Sequence, residues 1–492
     1  MTRSRMPSVL AALALVACAA PARQGAGSAD ALRDRARIPA RGPPPALAVP
    51  AQKHFRLENG LRVRLVEYHR LPIVALNLVL DAGAAHDPAD QPGLASFTAA
   101  MVTEGTKTRS ATRLSDELGF IGAHLSAGAS FDAASVAGAT LSRHLEKLLE
   151  LMADVTASPA FPQEDFARVQ DQRKVALVQQ RDSPGAVASK AFTEVFWSGH
   201  PYGHWGMGSE ASLQAMKPAD LARFHAAHWR PGSAELVVVG DVSEAELRRM
   251  LAKDFAAWPA GVDPAAARAG PLAAARRTIV LSKADAPQAF LMMGMPGLAR
   301  ASPDFAAAQV AFQVLGGGSA SRLFRNLREK HGYTYGVYAR EEARKLGGTS
   351  YLVGSVRAEV TGDAIRELLS EVESLRKDPV PEGELADARD ALVLSLPADF
   401  ATAAGIAGKL ADAAVHGLPD DYWDRYVAQV RQVTAADVQR VARQYLDPSR
   451  LLTVMVADPA VVKAQLGGLP LGPVEVRSDP AAGPGGRVGS AR

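Results

Sequence analysis

Eleven histidines and a single cysteine stand in the 492 residues, so few side chains offer metal-binding or nucleophilic chemistry. His200 and His204 are four apart in the run His200-Pro201-Tyr202-Gly203-His204. On a helix that spacing would present two imidazoles to one zinc ion, but a Gly/Pro-rich run forms a turn. His225 and His228 are three apart within an apolar-periodic helix, where packing accounts for them. Leu315-Gly316-Gly317-Gly318 lacks the Lys-Ser/Thr ending of a phosphate loop and reads as a tight element with close backbone packing. No Gly-x-Ser-x-Gly nucleophile elbow occurs. Arg328 and Tyr335 are seven apart. A guanidinium and a phenol can both donate hydrogen bonds to a developing oxyanion. Residue type alone leaves it equally open that Arg328 pairs with a carboxylate and Tyr335 fills a core.

The elements that position these residues follow from composition and pattern. The chain is 48% hydrophobic and 22% charged, with a formal net charge of +3. Those values fit a globular protein with sizeable cores and give no basis for nucleic acid as a partner. The N-terminus has a basic start (Arg3, Arg5) and an apolar run over 9–17 too short to span a bilayer. Leu15-Val16-Ala17-Cys18 resembles a bacterial lipobox, so residues 1–18 read as a lipoprotein signal with Cys18 lipidated. The implied location is the periplasmic side of the cell envelope, anchored to the outer membrane. With one cysteine there is no internal disulfide. Residues 19–50 and 471–492, rich in Pro, Gly and Ala, read as a flexible tether and tail.

Between them the sequence repeats. Residues 213–242 align without a gap to 430–459 at an offset of 217. Asp220 meets Asp437, Pro231 meets Pro448, and the apolar run 236–239 meets 453–456. Each copy reads as a helix, a Pro-containing turn and a short buried strand, with the acidic residue in the first helical turn. The stretch 159–169 likewise resembles 378–388, each just after a periodic helix, at 141–155 and at 363–375. Strands are expected early in each half, at 54–66 with an Asn59-Gly60 turn, at 72–80, and again at 277–281 and 290–294. The chain therefore reads as a duplicated α+β unit, spanning 51–265 and 272–470, with 259–271 as linker. The repeat puts Ala442 and Tyr445 opposite His225 and His228, which favours packing for that pair.

Several stretches, taken in order, resemble the pitrilysin/insulinase/mitochondrial-processing-peptidase superfamily, and in particular its small two-domain bacterial subunits. They are FRLENGLRVRLVE, DAGAAHDPADQPGLASFTAAMVTEGT, the HPYG run, HWRPGSAELVVVGDVS and LGGGSASRLFRNLREKHGYTYGVYA. The resemblance implies two similar α+β domains, helices on one face of a mostly antiparallel sheet, forming a half-shell. Active members carry an inverzincin His-x-x-Glu-His motif with a third ligand, a Glu, 75–80 residues later. Here Ser96, Ala99 and Ala100 occupy the motif positions, and residues 165–193 contain no Glu. Alanine cannot ligate or act as a base, and serine is a poor zinc ligand. Ser96 is left with no chemical task. The helix is retained for packing, with Leu94, Phe97 and Met101 as its apolar stripe.

In the family's heterodimers the subunit without ligands supplies an Arg and a Tyr seven apart, and Arg328 and Tyr335 match them. The expected function is thus the non-zinc-binding subunit of a heterodimeric periplasmic metalloendopeptidase. It binds no cofactor itself, with zinc in a partner of the same superfamily and peptides or unfolded proteins as substrates. The alternative is a catalytically inactive peptidase-like protein of binding or assembly at the cell envelope.

Overall fold

The computed structural model describes residues 47–261, 265–270, 272 and 275–478. The first half builds a six-stranded sheet from β1 (Lys53–Arg56), β2 (Arg62–Glu67), β3 (Ile73–Leu80), β4 (His124–Ala129), β5 (Ala134–Leu141) and β6 (Ala234–Gly240). Its spatial order is β1-β2-β6-β3-β5-β4, antiparallel except for β2 against β6. Its helices are α1 (Leu94–Met101), α2 (Ala111–Phe120), α3 (Leu145–Ala157), α4 (Gln163–Arg181), α5 (Pro184–Phe196), α6 (Glu210–Ala215), α7 (Pro218–His228) and α8 (Glu244–Asp254).

The second sheet uses β7 (Arg277–Ser282), β8 (Gln288–Gly297), β9 (Gly336–Arg344), β10 (Gly347–Arg357), β11 (Leu452–Ala457) and β12 (Val474–Arg477). Its order, β12-β7-β11-β8-β10-β9, repeats the first, with β7 for β2, β8 for β3 and β11 for β6. The edge position is filled differently. β1 is antiparallel to β2, whereas the C-terminal β12 runs parallel to β7. Ordered sheet thus continues past residue 470, within the stretch whose composition reads as a tail. The longer helices of this half are α9 (Phe305–Gly316), α10 (Thr361–Lys377), α11 (Glu382–Asp399), α12 (Ala403–Val415), α13 (Tyr422–Gln432) and α14 (Ala435–Tyr445).

The aligned acidic residues do the same work in both copies. Asp220 accepts the Lys217 N–H (2.8 Å) at the start of α7, and Asp437 accepts the Thr434 N–H (2.9 Å) at the start of α14. Each satisfies a backbone donor that the first helical turn would leave unpaired. Pro231 and Pro448 then open short 3₁₀ turns leading into β6 and β11, which are buried along their whole length. Both faces of these strands are covered, which is why they read as unbroken apolar runs.

The covering helices are exchanged between halves. α5 packs on β8 and β11 of the second sheet, and α12 packs on β3 and β6 of the first. Phe192 and Phe196 sit in a core with Ile279, Leu281, Met292 and Val454. In return, Ile406, Ala407 and Leu410 join a core with Ala75, Val79 and Val239. Gly294 is required here, because a Cβ on it would come 2.3 Å from the Phe192 ring.

Candidate functional site

The helix that would carry the metal motif is α1. Leu94, Phe97 and Met101 are buried, as the apolar stripe implies. Gly93, at φ +95°, lets the chain turn into the helix against the backbone of Met207 and Gly208. Asp87 accepts the N–H groups of Gly93 and Ala95, both at 2.7 Å, and His204 Nε2 lies 3.0 Å from its carboxylate.

Ser96 has a structural role. Its hydroxyl donates to the Gly206 carbonyl (2.6 Å) and accepts from Arg173 Nη2 on α4 (2.6 Å). Arg173 also donates to Met207 O (3.3 Å), and its guanidinium lies 5.1 Å from the Phe97 ring centre. Phe97 in turn stacks on Phe166 of α4. Burial drives the Arg173 pKa down to about 10, opposed by the charge of Asp87, and its Nε is buried without a hydrogen-bond partner. A guanidinium therefore stands beside the first motif position. Ala99, at the Glu position, is fully buried. This set of residues does not fit zinc, which needs imidazole, thiolate or carboxylate donors. Among the described residues no group of three or more His, Cys, Asp or Glu is placed to hold a metal.

The histidine pair on α7 and His200 are accounted for by contacts within the fold. His225 Nε2 lies 2.8 Å from the Thr156 carbonyl, and His228 stacks on Phe224 and lies against His86. Burial lowers both His225 and His228 to pKa values of about 4. His200 Nδ1 accepts the Tyr202 N–H (3.1 Å). The run from His200 to His204 serves as a joint between halves. Tyr202 donates to Asp132, which also accepts the Lys345 N–H (3.0 Å), and the Leu346 N–H donates to the Tyr202 hydroxyl (3.1 Å). Residues 345–347 are the tip of the β9–β10 hairpin. Beside it, the Arg344 guanidinium lies 4.3 Å from the Phe131 ring centre.

Arg328 sits in a π-helical segment, Phe324–Lys330, and Tyr335 lies in the turn between that segment and β9. Such segments are frequent at functional sites. Its guanidinium lies 4.2 Å from the Tyr335 ring centre and 4.7 Å from that of Phe324. The Tyr335 residue is 82% exposed. So the structure brings the two residues together, with Tyr335 outside any core and Arg328 without a carboxylate partner among the described residues. Gly316 of the Leu315–Gly318 run fixes this region from behind. A Cβ on Gly316 would come 2.2 Å from the Ala339 nitrogen, so α9 packs backbone-close on β9.

On the buried face of β9 lies Glu341. It accepts the Leu298 N–H (3.0 Å) and a hydrogen bond from Ser350. Burial pushes its carboxyl up to about 7, although both hydrogen bonds pull the other way. The folded chain then holds this proton over a pH range in which the unfolded chain has lost it. Stability should fall as pH rises from about 4.5 to about 7 and level off above. Between pH 5 and 8, urea denaturation should show the parental chain losing on the order of 3 kcal/mol more than Glu341→Gln. Equal pH slopes for the two chains would count against this assignment.

Comparison with known proteins agrees with the geometry. Residues 62–208 match the family model for insulinase-type peptidases (peptidase family M16), and 215–392 match the model for the peptidase M16 inactive domain. The chain belongs to this pitrilysin-like superfamily of two-domain proteins. It is 25% identical to an uncharacterized zinc protease of Mycobacterium tuberculosis over 415 residues, 83% of this chain and 94% of the relative. To an uncharacterized zinc protease of Bacillus subtilis it is 22% identical over 345 residues, 70% and 83% of the two chains. The crystal structure of a peptidase M16 inactive domain from Pseudomonas fluorescens superposes with a TM-score of 0.78 at 29% identity, covering 83% of this chain and 98% of that one. A protease from Helicobacter pylori gives 0.79 at 21% identity, covering 83% and 100%, and supports the fold alone.

Proposed function

We propose that this chain is the non-zinc-binding subunit of a heterodimeric metalloendopeptidase of the cell envelope. The observation that carries the reading is the pairing of an exposed Arg328–Tyr335 stack with a metal position occupied by Ser96 and Arg173. The chain keeps donors suited to a carbonyl oxygen and lacks the ligands for a metal. In this reading a partner of the same superfamily holds zinc, and this chain presents Arg328 and Tyr335 to the peptide bound there.

The test is reconstitution with a zinc-bearing M16 subunit. The chain alone should hold no stoichiometric zinc and cleave no peptide, whereas the pair should show chelator-sensitive cleavage. About one tightly held zinc per chain, with chelator-sensitive proteolysis by the chain alone, would overturn the proposal. The alternative, an inactive binding or assembly protein, predicts association without cleavage.

The envelope location is part of the same proposal and rests on Cys18, which lies outside the described residues. A bacterial lipoprotein cysteine carries more than one acyl chain, enough for stable anchoring. Cys18→Ser should abolish lipid labelling and leave the signal uncleaved or differently processed. Unchanged labelling would reject the lipobox.

A further inference from the structure

We propose that the open end of the second sheet, where Tyr338 and Arg340 of β9 follow the Arg328–Tyr335 stack in the chain, binds an extended peptide segment bearing acidic side chains. The proposal rests on the proposed function only for calling that peptide a substrate.

The surface is defined by what covers the rest of the sheet. Tyr338 lies opposite Val353 and Arg340 opposite Tyr351, while Tyr351 and Val353 lie opposite Gly294 and Met292 of β8. Directly opposed residues share a face, so these side chains form one surface. α5 covers its middle, with Phe192 seated on Gly294 and Met292 in the same core. At β9 the cover ends. Tyr338 is 38% exposed, and Arg340 is exposed with its guanidinium 5.0 Å from the Tyr338 ring centre. The opposite face of β9, with Val337 and Ala339, is buried.

The charge of this strip is unmatched. Neither Arg328 nor Arg340 has a carboxylate partner among the described residues. The carboxylate next along the outward row, Glu342, is already paired with Arg344. β9 is also the last strand of its sheet, and among the described residues its one pairing outside the ladder with β10 is the bridge of Arg344 to Ala299, at the far end. Backbone groups along an uncovered edge can pair with an added strand. Alternate residues of such a strand are about 7 Å apart on one face, a spacing that sets one side chain near Arg340 and the next near Tyr338. Two arginines lying on aromatic rings, without anions of their own, favour carboxylates there and disfavour lysines.

The probe is a fluorescein-labelled, extended 12-residue peptide with alternating Glu and Thr, set against its Gln counterpart. Both are titrated with the purified full chain and read by anisotropy. The Glu peptide should bind roughly five- to tenfold more tightly, and that advantage should shrink at high salt. Arg340→Gln, a change at an exposed position, should remove most of the advantage and leave the Gln peptide's affinity unchanged. Equal affinities for the two peptides, no measurable binding of either, or an unchanged advantage in Arg340→Gln would each overturn the inference. Failure of the proposed function looks different. If the acidic peptide binds through Arg340 but the reconstituted pair cleaves nothing, the strip stands and the peptidase role falls. If the pair cleaves peptides without regard to acidity, the reverse holds.

Discussion

Tyr335→Phe in the reconstituted heterodimer is expected to lower kcat by about 10²–10³ with little change in KM. As a peptide bond is hydrolysed, its carbonyl oxygen gains negative charge. A phenol hydroxyl and a guanidinium aimed at that oxygen bind the transition state more strongly than the substrate, so losing one appears in kcat. The substitution is clean because Tyr335 is 82% exposed and its ring, which carries the contact with Arg328, is retained. Arg328→Lys keeps the charge but loses the planar fork and the stacking surface, and should also be impaired. Assembly is measured alongside activity, by sedimentation or native mass spectrometry. If Tyr335→Phe and Arg328→Ala pairs assemble and cleave at the parental rate, the two residues are structural, and the binding or assembly reading becomes the better one.

How far such a site can be read in advance depends on the kind of interaction that builds it. The duplication was legible because it rests on local rules. An acidic residue three positions into a helix caps it in either copy, as Asp220 and Asp437 do. Prolines open the same turn, and a strand covered on both faces must be apolar throughout. The exchange of α5 and α12 was not legible, because periodicity shows that a helix has a buried face without showing which sheet buries it. β12 was missed for a related reason. Its four residues alternate in type but stand beside a Pro/Gly-rich tail, and only pairing with β7 makes them a strand. At the site, the loss of ligands at Ser96, Ala99 and Ala100 was plain, but the replacement was not. Arg173 lies in a long polar helix among Gln, Asp and Lys, where one more cation looks solvated. A signal was present all the same, since the window that should supply a carboxylate holds no Glu and does hold this arginine. The role of Tyr202 with Asp132 could not have been found from spacing, because its third partner, the hairpin tip at 345–347, comes from the other half.

The occupied metal position leads to a second large expected effect. Introducing Ser96→His and Ala100→His alone should not create a zinc site, whereas the same pair with Arg173→Glu should bind one zinc per chain. Arg173 Nη2 lies 2.6 Å from Ser96 Oγ, so a zinc ion held by an imidazole at residue 96 would meet a fixed guanidinium. Two unit charges 4 Å apart near a protein surface interact by about 4 kcal/mol, and a dication roughly doubles this. A penalty near 8 kcal/mol weakens binding by roughly 10⁵–10⁶-fold. Arg173→Glu removes the cation and adds a carboxylate donor from the same place on α4. Ala99 is left unchanged, because it is fully buried and a glutamate there would lose its hydration. Zinc binding by competition with a chelator, with circular dichroism as the check on folding, separates the outcomes. Tight zinc binding by the two-histidine chain with Arg173 in place would show that the guanidinium does not guard the position. A folded three-residue variant without zinc would show that α1 and α4 no longer hold the geometry a metal needs.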